Sequence, residues 1–447
     1  KYNRDYQSQK ESLYLSALDL TLTRHEYARQ WFGTFDGEYL SSGGVENNTL
    51  SSEFGVNQAF ITAGGIIANA GLAIDWTRFL SGDHYTSLGS VLTASVTAPL
   101  LGRGGGKTAW ENLTQAERNV LYRIRTFNRY RKTFVVSIIS DYYRVLQQMK
   151  NLEVIRASYE RQKESTKQLR MQVEVGQRAP SEVFEAEQRL LSAENSVVSA
   201  QQRYAQVLDS FKIRLSLPTD ANIMLDPNEL EALGNIGVEL PEYTVEDSIA
   251  MALRWRLDLA NTRNGVEDTE RKLVLAAEGL GVQLNLIGSA GVDSTEKTDF
   301  TRLRFHEGTY SLGFETDLPF DQKAERNAYR EALISLLQRQ RGYDEEVERV
   351  KLDVREAYRS LEETAESYRI QKMGVELAGK RVEEQKLLLE TGRGIVRLLV
   401  DSEDALVQAE NNLTGALVDH MIAKMSFFRD VGILQVRPDG MWEQNTQ

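Results

Sequence analysis

Proline marks where this chain cannot be helical, because it removes a backbone donor and clashes with the preceding turn. The seven prolines are Pro99, Pro180, Pro218, Pro227, Pro241, Pro319 and Pro438. From Pro99 to Pro180, and again from Pro319 to Pro438, the chain runs without proline and is rich in Glu, Lys, Arg, Gln, Leu and Ala. Such runs predict long helices over about 107–175 and 321–390, followed by shorter ones over about 181–217 and 397–431. The first long helix is on the order of 100 Å at 1.5 Å per residue, and each short one about half that. Helices expected over about 8–30 and 245–279 have the lengths that, stacked on the short ones, match the long ones.

The chain also repeats itself. At an offset of 216, Gly176 matches Gly392, Glu187 matches Glu403, Leu190 matches Leu406, and Ala193-Glu194-Asn195 matches Ala409-Glu410-Asn411. Tyr143-Arg144 with Leu146 faces Tyr358-Arg359 with Leu361 after a one-residue slip. The expected organisation is a first structural repeat over 1–217, an inter-repeat linker over 218–244 carrying three of the prolines, a second repeat over 245–434, and a tail over 435–447.

The short helices carry more apolar surface than one seam needs. Val183, Ala186, Leu190, Ala193, Val197, Ala200, Tyr204, Val207 and Phe211 step by three and four, which is a heptad seam. Phe184, Leu191, Val198, Ala205 and Leu208 form a second stripe beside it. The second repeat has Leu399, Leu406, Ala409, Leu413, Ala416, Ala423 and Phe427, flanked by Val400, Val407, Leu417 and Phe428. Two adjacent stripes rich in small residues suit a closed ring of helices, and a plain antiparallel bundle is the alternative.

Each repeat also holds period-two segments. Val282, Leu284, Leu286, Ala290 and Val292 alternate with polar residues, as do Tyr310, Leu312, Phe314 and Leu318. The first repeat has 31–41 (Trp31, Phe35, Tyr39) and 87–98 (Leu88, Leu92, Ala94, Val96), with an insert that alternates too: Phe54, Val56 and Phe60, then Ile66 to Trp76. Membrane strands are therefore expected over about 31–98 and 281–318, with one hairpin added to the first set. Ten-residue strands with one apolar face and terminal aromatics suit an outer-membrane barrel wall, and Trp31, Tyr39, Trp76, Phe79, Tyr310 and Phe314 are candidate interface aromatics. Four or six strands cannot close a barrel of at least about eight, and open edges are not tolerated in lipid, so copies of the chain are expected to share one barrel.

Several functions are disfavoured. A formal net charge of -12 without a basic block argues against a nucleic-acid partner. With no cysteine there is neither a disulfide nor a thiolate metal site. No stretch approaches eighteen uninterrupted apolar residues, so a membrane crossing has to be a barrel. No charged and apolar leader opens the sequence at Lys1, and any export signal is expected to be already removed. Gly104-Gly105-Gly106-Lys107-Thr108 has the ring of a phosphate loop, but Leu101 stands where that motif needs glycine. His25, His84, His306 and His420 form no metal-spaced pair. No catalytic residue, metal or cofactor is expected; a soluble coiled-coil scaffold without a barrel is the competing class.

The order of helix, strand hairpin, long helix and short helix, given twice, resembles the TolC-like outer-membrane factor family over nearly the whole chain. The phrases that carry the likeness are Ala252-Leu253-Arg254-Trp255-Arg256-Leu257-Asp258-Leu259, Asp317-Leu318-Pro319-Phe320-Asp321 and Thr97-Ala98-Pro99-Leu100-Leu101-Gly102. The resemblance implies a mainly α homotrimer: a helical barrel of long coiled-coil helices joined to a shared transmembrane β-barrel, with an equatorial collar from 218–244 and 435–447. It implies a passive exit duct from periplasm to exterior, serving a tripartite efflux pump or type I secretion system, in the outer membrane and partnered by a periplasmic adaptor and an inner-membrane transporter. The enlarged first hairpin departs from the family's usual four strands.

The same resemblance puts the periplasmic tip at the turns around Gly176 and Gly392, where glycine suits a helix C-terminal cap and Pro180 a first turn. Glu182, Glu185 and Asp401 resemble the family's constriction acids; Leu398 stands where a second acid is usual. Three inward carboxylates form a cation-attracting ring, although acids here also simply favour a helix N-terminus. Arg178, Arg393 and Arg397 are candidates to lock neighbouring helices or to meet the adaptor, or are solvated.

Overall fold

In the computed structural model the described residues are 3–42, 47–61, 65–80, 86–101, 106–177, 179–238, 240–241, 243–295, 299–318, 320–391, 393–437 and 442–444. The elements run α1 (Arg4–Glu26), β1 (Gln30–Ser42), β2 (Asn47–Ile61), β3 (Ile67–Phe79), β4 (Thr86–Leu101), α2 (Gly106–Glu174), α3 (Pro180–Arg214), α4 (Asn228–Ile236), α5 (Val245–Trp255) and α6 (Leu257–Glu278). They continue with β5 (Gln283–Thr295), β6 (Asp299–Leu303), a 3-10 turn (Phe305–Glu307), β7 (Thr309–Asp317), α7 (Lys323–Glu390), α8 (Val396–Val431), β8 (Leu434–Val436) and β9 (Trp442–Gln444). No helix among the described residues is long and apolar enough to cross a membrane.

The long proline-free runs are single helices of 69 and 68 residues. Two expectations change. The run 245–279 is two helices: Thr244 and Asp247 form a reciprocal capping box at the start of α5, and Arg256 turns extended (ψ 119°) before α6 begins. The linker is also not wholly irregular, because it contains the two-and-a-half-turn α4.

Two compact units result. The first contains residues 1–10, 125–260 and 345–447, and the second 11–124 and 261–344. The first unit is helical, and repeat-related Leu146 and Leu361 are both fully buried in it. Leu146 packs with Leu230 of α4 and Val418 of α8. Around the α5–α6 break, buried Arg256 grips Asp258 through two nitrogens (Nε–Oδ1 3.2 Å, Nη2–Oδ2 2.8 Å) and reaches Asp353 on α7 at 2.7 Å. Arg129 on α2 closes on the same Asp258 at 3.1 Å. These cations and hydrogen bonds hold the Asp258 carboxyl below its ordinary range even though burial alone pushes it up.

The second unit carries a seven-stranded sheet in the order β1-β2-β3-β4-β5, with β7 and the short β6 both on β5. All pairings are antiparallel, and the join between the two repeats is the β4–β5 ladder, in which Ala94 faces Ala290. The insert is two full strands, so each chain supplies six long strands. Among the described residues β1 pairs only with β2 and β7 only with β5, which leaves both outer edges open.

Alternation along each strand and the cross-strand register sort the side chains onto two faces. Trp31, Phe35, Tyr39, Phe54, Val56, Leu72, Ile74, Trp76, Leu92, Val96, Leu286, Tyr310, Leu312 and Phe314 share one face. The other face bears Thr34, Asp36, Gly55, Asn57, Gly71, Asp75, Thr93, Ser95, Gly291, Ser311 and Glu315. In the single chain the apolar face is uncovered: Phe35 is 74% exposed and Leu312 78%.

Candidate functional site

The turn that ends α2 is a Schellman cap. Gly176 takes the left-handed conformation at φ +75°, its N–H donates to Val173 O at 3.0 Å, and the Gln177 N–H donates to Gln172 O at 2.9 Å. Pro180 then fills the first turn of α3 behind an extended Ala179. At the end of α7 the N–H groups of Arg393 and Gly394 both donate to Leu388 O, at 3.0 and 2.8 Å. Gly394 is required there, since a Cβ would lie 2.5 Å from the Leu389 nitrogen. Arg178 and Gly392 lie outside the described residues.

Both turns rest on one apolar cluster of Leu169, Val183, Ala186, Val396 and Val400, with Val173 and Leu389 packed against it. All four helices meeting here contribute, so neither turn can move without uncovering apolar surface.

Over this cluster lies an ion-pair hub. Arg189 on α3 donates to Asp401 on α8 at 2.8 Å and to Glu185 at 3.4 Å, and Arg397 stands 3.9 Å from the other Asp401 oxygen. The hydrogen bond that Arg189 donates to Asp401 is the main cause that raises its guanidinium above its ordinary value. Glu182, Glu185, Arg189, Ile395 and Arg397 line a shallow depression. Asp401 and Glu185 are thus brought together by a cation that the sequence reading did not single out. Arg189 stands four residues after Glu185, the spacing of a helix ion pair, and that spacing was its only signal. Leu398 and Arg393 are exposed.

Deeper between α2 and α8, buried Gln162 donates to Asp404 at 3.2 Å, with Ser158 and Thr166 on the same helix face. Burial raises the carboxyls of Asp404 and its neighbour Glu403. A polar layer of this kind fixes helix register, because each buried group needs one particular partner.

Of the six candidate aromatics, Trp31, Tyr39, Trp76, Tyr310 and Phe314 stand on the apolar face of the sheet. Phe79 stands on the polar face, because an odd number in β3 has the parity of Asp75 and not of Trp76. Among the described residues no group of three or more His, Asp or Glu is arranged to hold a metal ion. His306 is exposed in its turn and His420 is buried between α7 and α8.

No protein-family profile and no curated protein sequence matches the chain. Solved structures do. CusC, described through its folding and transmembrane channel formation, superposes with a TM-score of 0.70 at 13% identity, over 96% of this chain and 89% of that one. The outer membrane protein VceC of Vibrio cholerae gives 0.69 at 11% identity over 95% and 92%. The CmeC outer membrane channel of Campylobacter jejuni gives 0.68 at 12% identity over 100% and 85%. At these identities the likeness is one of fold, and this chain has the fold of the TolC-like outer-membrane channels.

Proposed function

We propose that the chain is one protomer of a homotrimeric outer-membrane channel, a passive duct from periplasm to exterior. The observation that carries this reading is surface left unsatisfied in one copy. The seam of α3 that includes Val183, Ala186, Ala200 and Phe211 is buried within the chain, whereas its second stripe is bare, with Phe184 70% and Leu191 67% exposed. The sheet has two open edges and one uncovered apolar face. Neighbouring copies cover the stripe and pair the edges; lipid covers the face.

In this reading the repeats 1–217 and 245–434 supply the helices of the barrel wall, and 218–244 with 435–447 form the equatorial collar. The turns at Gly176 and Gly392 form the periplasmic aperture. Glu182, Glu185 and Asp401 with Leu398 set its charge; Arg178, Arg393 and Arg397 face the adaptor. Trp31, Tyr39, Trp76, Tyr310 and Phe314 mark the membrane interface, and Phe79, on the polar face, does not. A periplasmic adaptor and an inner-membrane transporter of an efflux pump or type I secretion system energise the transport, and the duct itself needs no cofactor.

A soluble coiled-coil scaffold explains the α3 stripe but leaves the apolar sheet face without a purpose. Reconstitution in planar bilayers decides between them. A channel gives discrete conductance steps and needs detergent for extraction; a protein that extracts in plain buffer and leaves bilayers silent is not one.

A further inference from the structure

Resting on the channel reading, we propose that the membrane pore is an eighteen-stranded barrel, open widely enough to release hydrophilic cargo of polypeptide size. The strand count comes first. Each chain gives six long strands, β1 to β5 and β7. Five successive antiparallel pairings lead from β1 to β7, so β7 runs opposite to β1. The free edge of β7 can therefore continue the same antiparallel ladder onto β1 of the next copy, and three copies close on eighteen strands with no edge left over.

Width follows from the count. Eighteen strands about 4.8 Å apart and tilted about 40° enclose a barrel on the order of 35 Å across between Cα atoms, against about 24 Å for twelve. What fills that width is decided by the polar face, which lies opposite the lipid-facing residues. Successive rungs across its middle read Thr34, Gly55, Ala73, Val91 and Asp293, then Phe32, Asn57, Gly71, Thr93, Gly291 and Thr309. Narrow barrels are plugged by large inward side chains. Here glycine, alanine, serine and threonine predominate, and a clear opening of roughly 25 Å remains.

The chain has no cysteine, so single thiols can be placed without background. Ser95 lies in mid-β4 on the polar face, and Val96 beside it on the apolar face. Full-length Ser95→Cys protein in intact outer membranes is exposed to maleimides on polyethylene glycols of graded size, with Val96→Cys as the lipid-facing control. The expected result is labelling of Ser95→Cys by polymers up to about 20 Å in diameter, as an eighteen-stranded wall allows. A second variant replaces residues 43–85 with Asn-Gly, which joins β1 to β4 and leaves four strands per copy; its cut-off is expected to fall by roughly half.

Labelling that stops near about 10 Å while a small maleimide still reacts overturns the wide barrel and leaves the channel standing. Failure of even the small maleimide at Ser95→Cys overturns the channel reading along with it. If the shortened variant does not assemble, the cut-off of the full-length Ser95→Cys protein still decides.

Discussion

At the residue scale, two side chains give the sharpest expectations. Arg189 is the cation between Asp401 and Glu185, and its side chain is one-quarter exposed. Such pairs are worth about 0.2–1 kcal/mol each, weak enough to be undone by modest competing contacts. Arg189→Ala is expected to raise the open probability of the reconstituted channel by up to about fivefold, and Asp401→Ala to weaken block by divalent cations. Single-channel recording checks both; unchanged openings and unchanged block remove the hub from the aperture. His420 is 4% exposed, its Nε2 has no hydrogen-bond partner, and burial lowers its pKa to about 4. A histidine with a depressed folded pKa favours the unfolded state as protons arrive. Stability is therefore full above the ordinary value near 6.5 and falls between there and about 4, by at most on the order of 3 kcal/mol. His420→Gln is expected to flatten the unfolding midpoint across that window, whereas an equally steep fall in the variant assigns the acid sensitivity to other groups. Neither residue's role was legible in sequence. A surface arginine in a charge-rich helix and a histidine on an apolar stripe look ordinary until their neighbours are known.

At the element scale, legibility tracked the strength of local signals. Proline-free runs gave α2, α3, α7 and α8 to within three residues, and alternation gave all six long strands, because helix and strand periods impose themselves on every residue. The α5–α6 break escaped, since one extended residue at Arg256 barely disturbs a helical pattern. In the sequence the phrase around it carries only a family likeness; the structure gives its purpose, an arginine held by Asp258 and Asp353 across the break. Removing one partner from a buried ionic cluster costs about 3–5 kcal/mol. Arg256→Met is thus expected to lower the urea midpoint of detergent-solubilised protein markedly, and a midpoint within error of wild type contradicts that role. The short pair β8 and β9 and the strand β6 were also missed, being too brief for periodicity to register.

At the scale of the whole molecule, the second apolar stripe of α3 and the apolar sheet face are bare in one copy, and among the described residues both outer edges of the sheet are open. The stripes and the alternating strands could be read from the sequence, but which stripe the chain buries itself could not, because both are apolar. Phe184→Glu with Leu191→Glu puts carboxylates on the bare stripe while leaving the internal seam intact, and is expected to yield folded single protomers in detergent. The central claim is tested most directly by the mass of the wild-type particle in detergent, measured by native mass spectrometry. Three chains of 50.6 kDa are predicted in one particle that loses solubility without detergent. A monodisperse single chain, stable in plain buffer, contradicts the account.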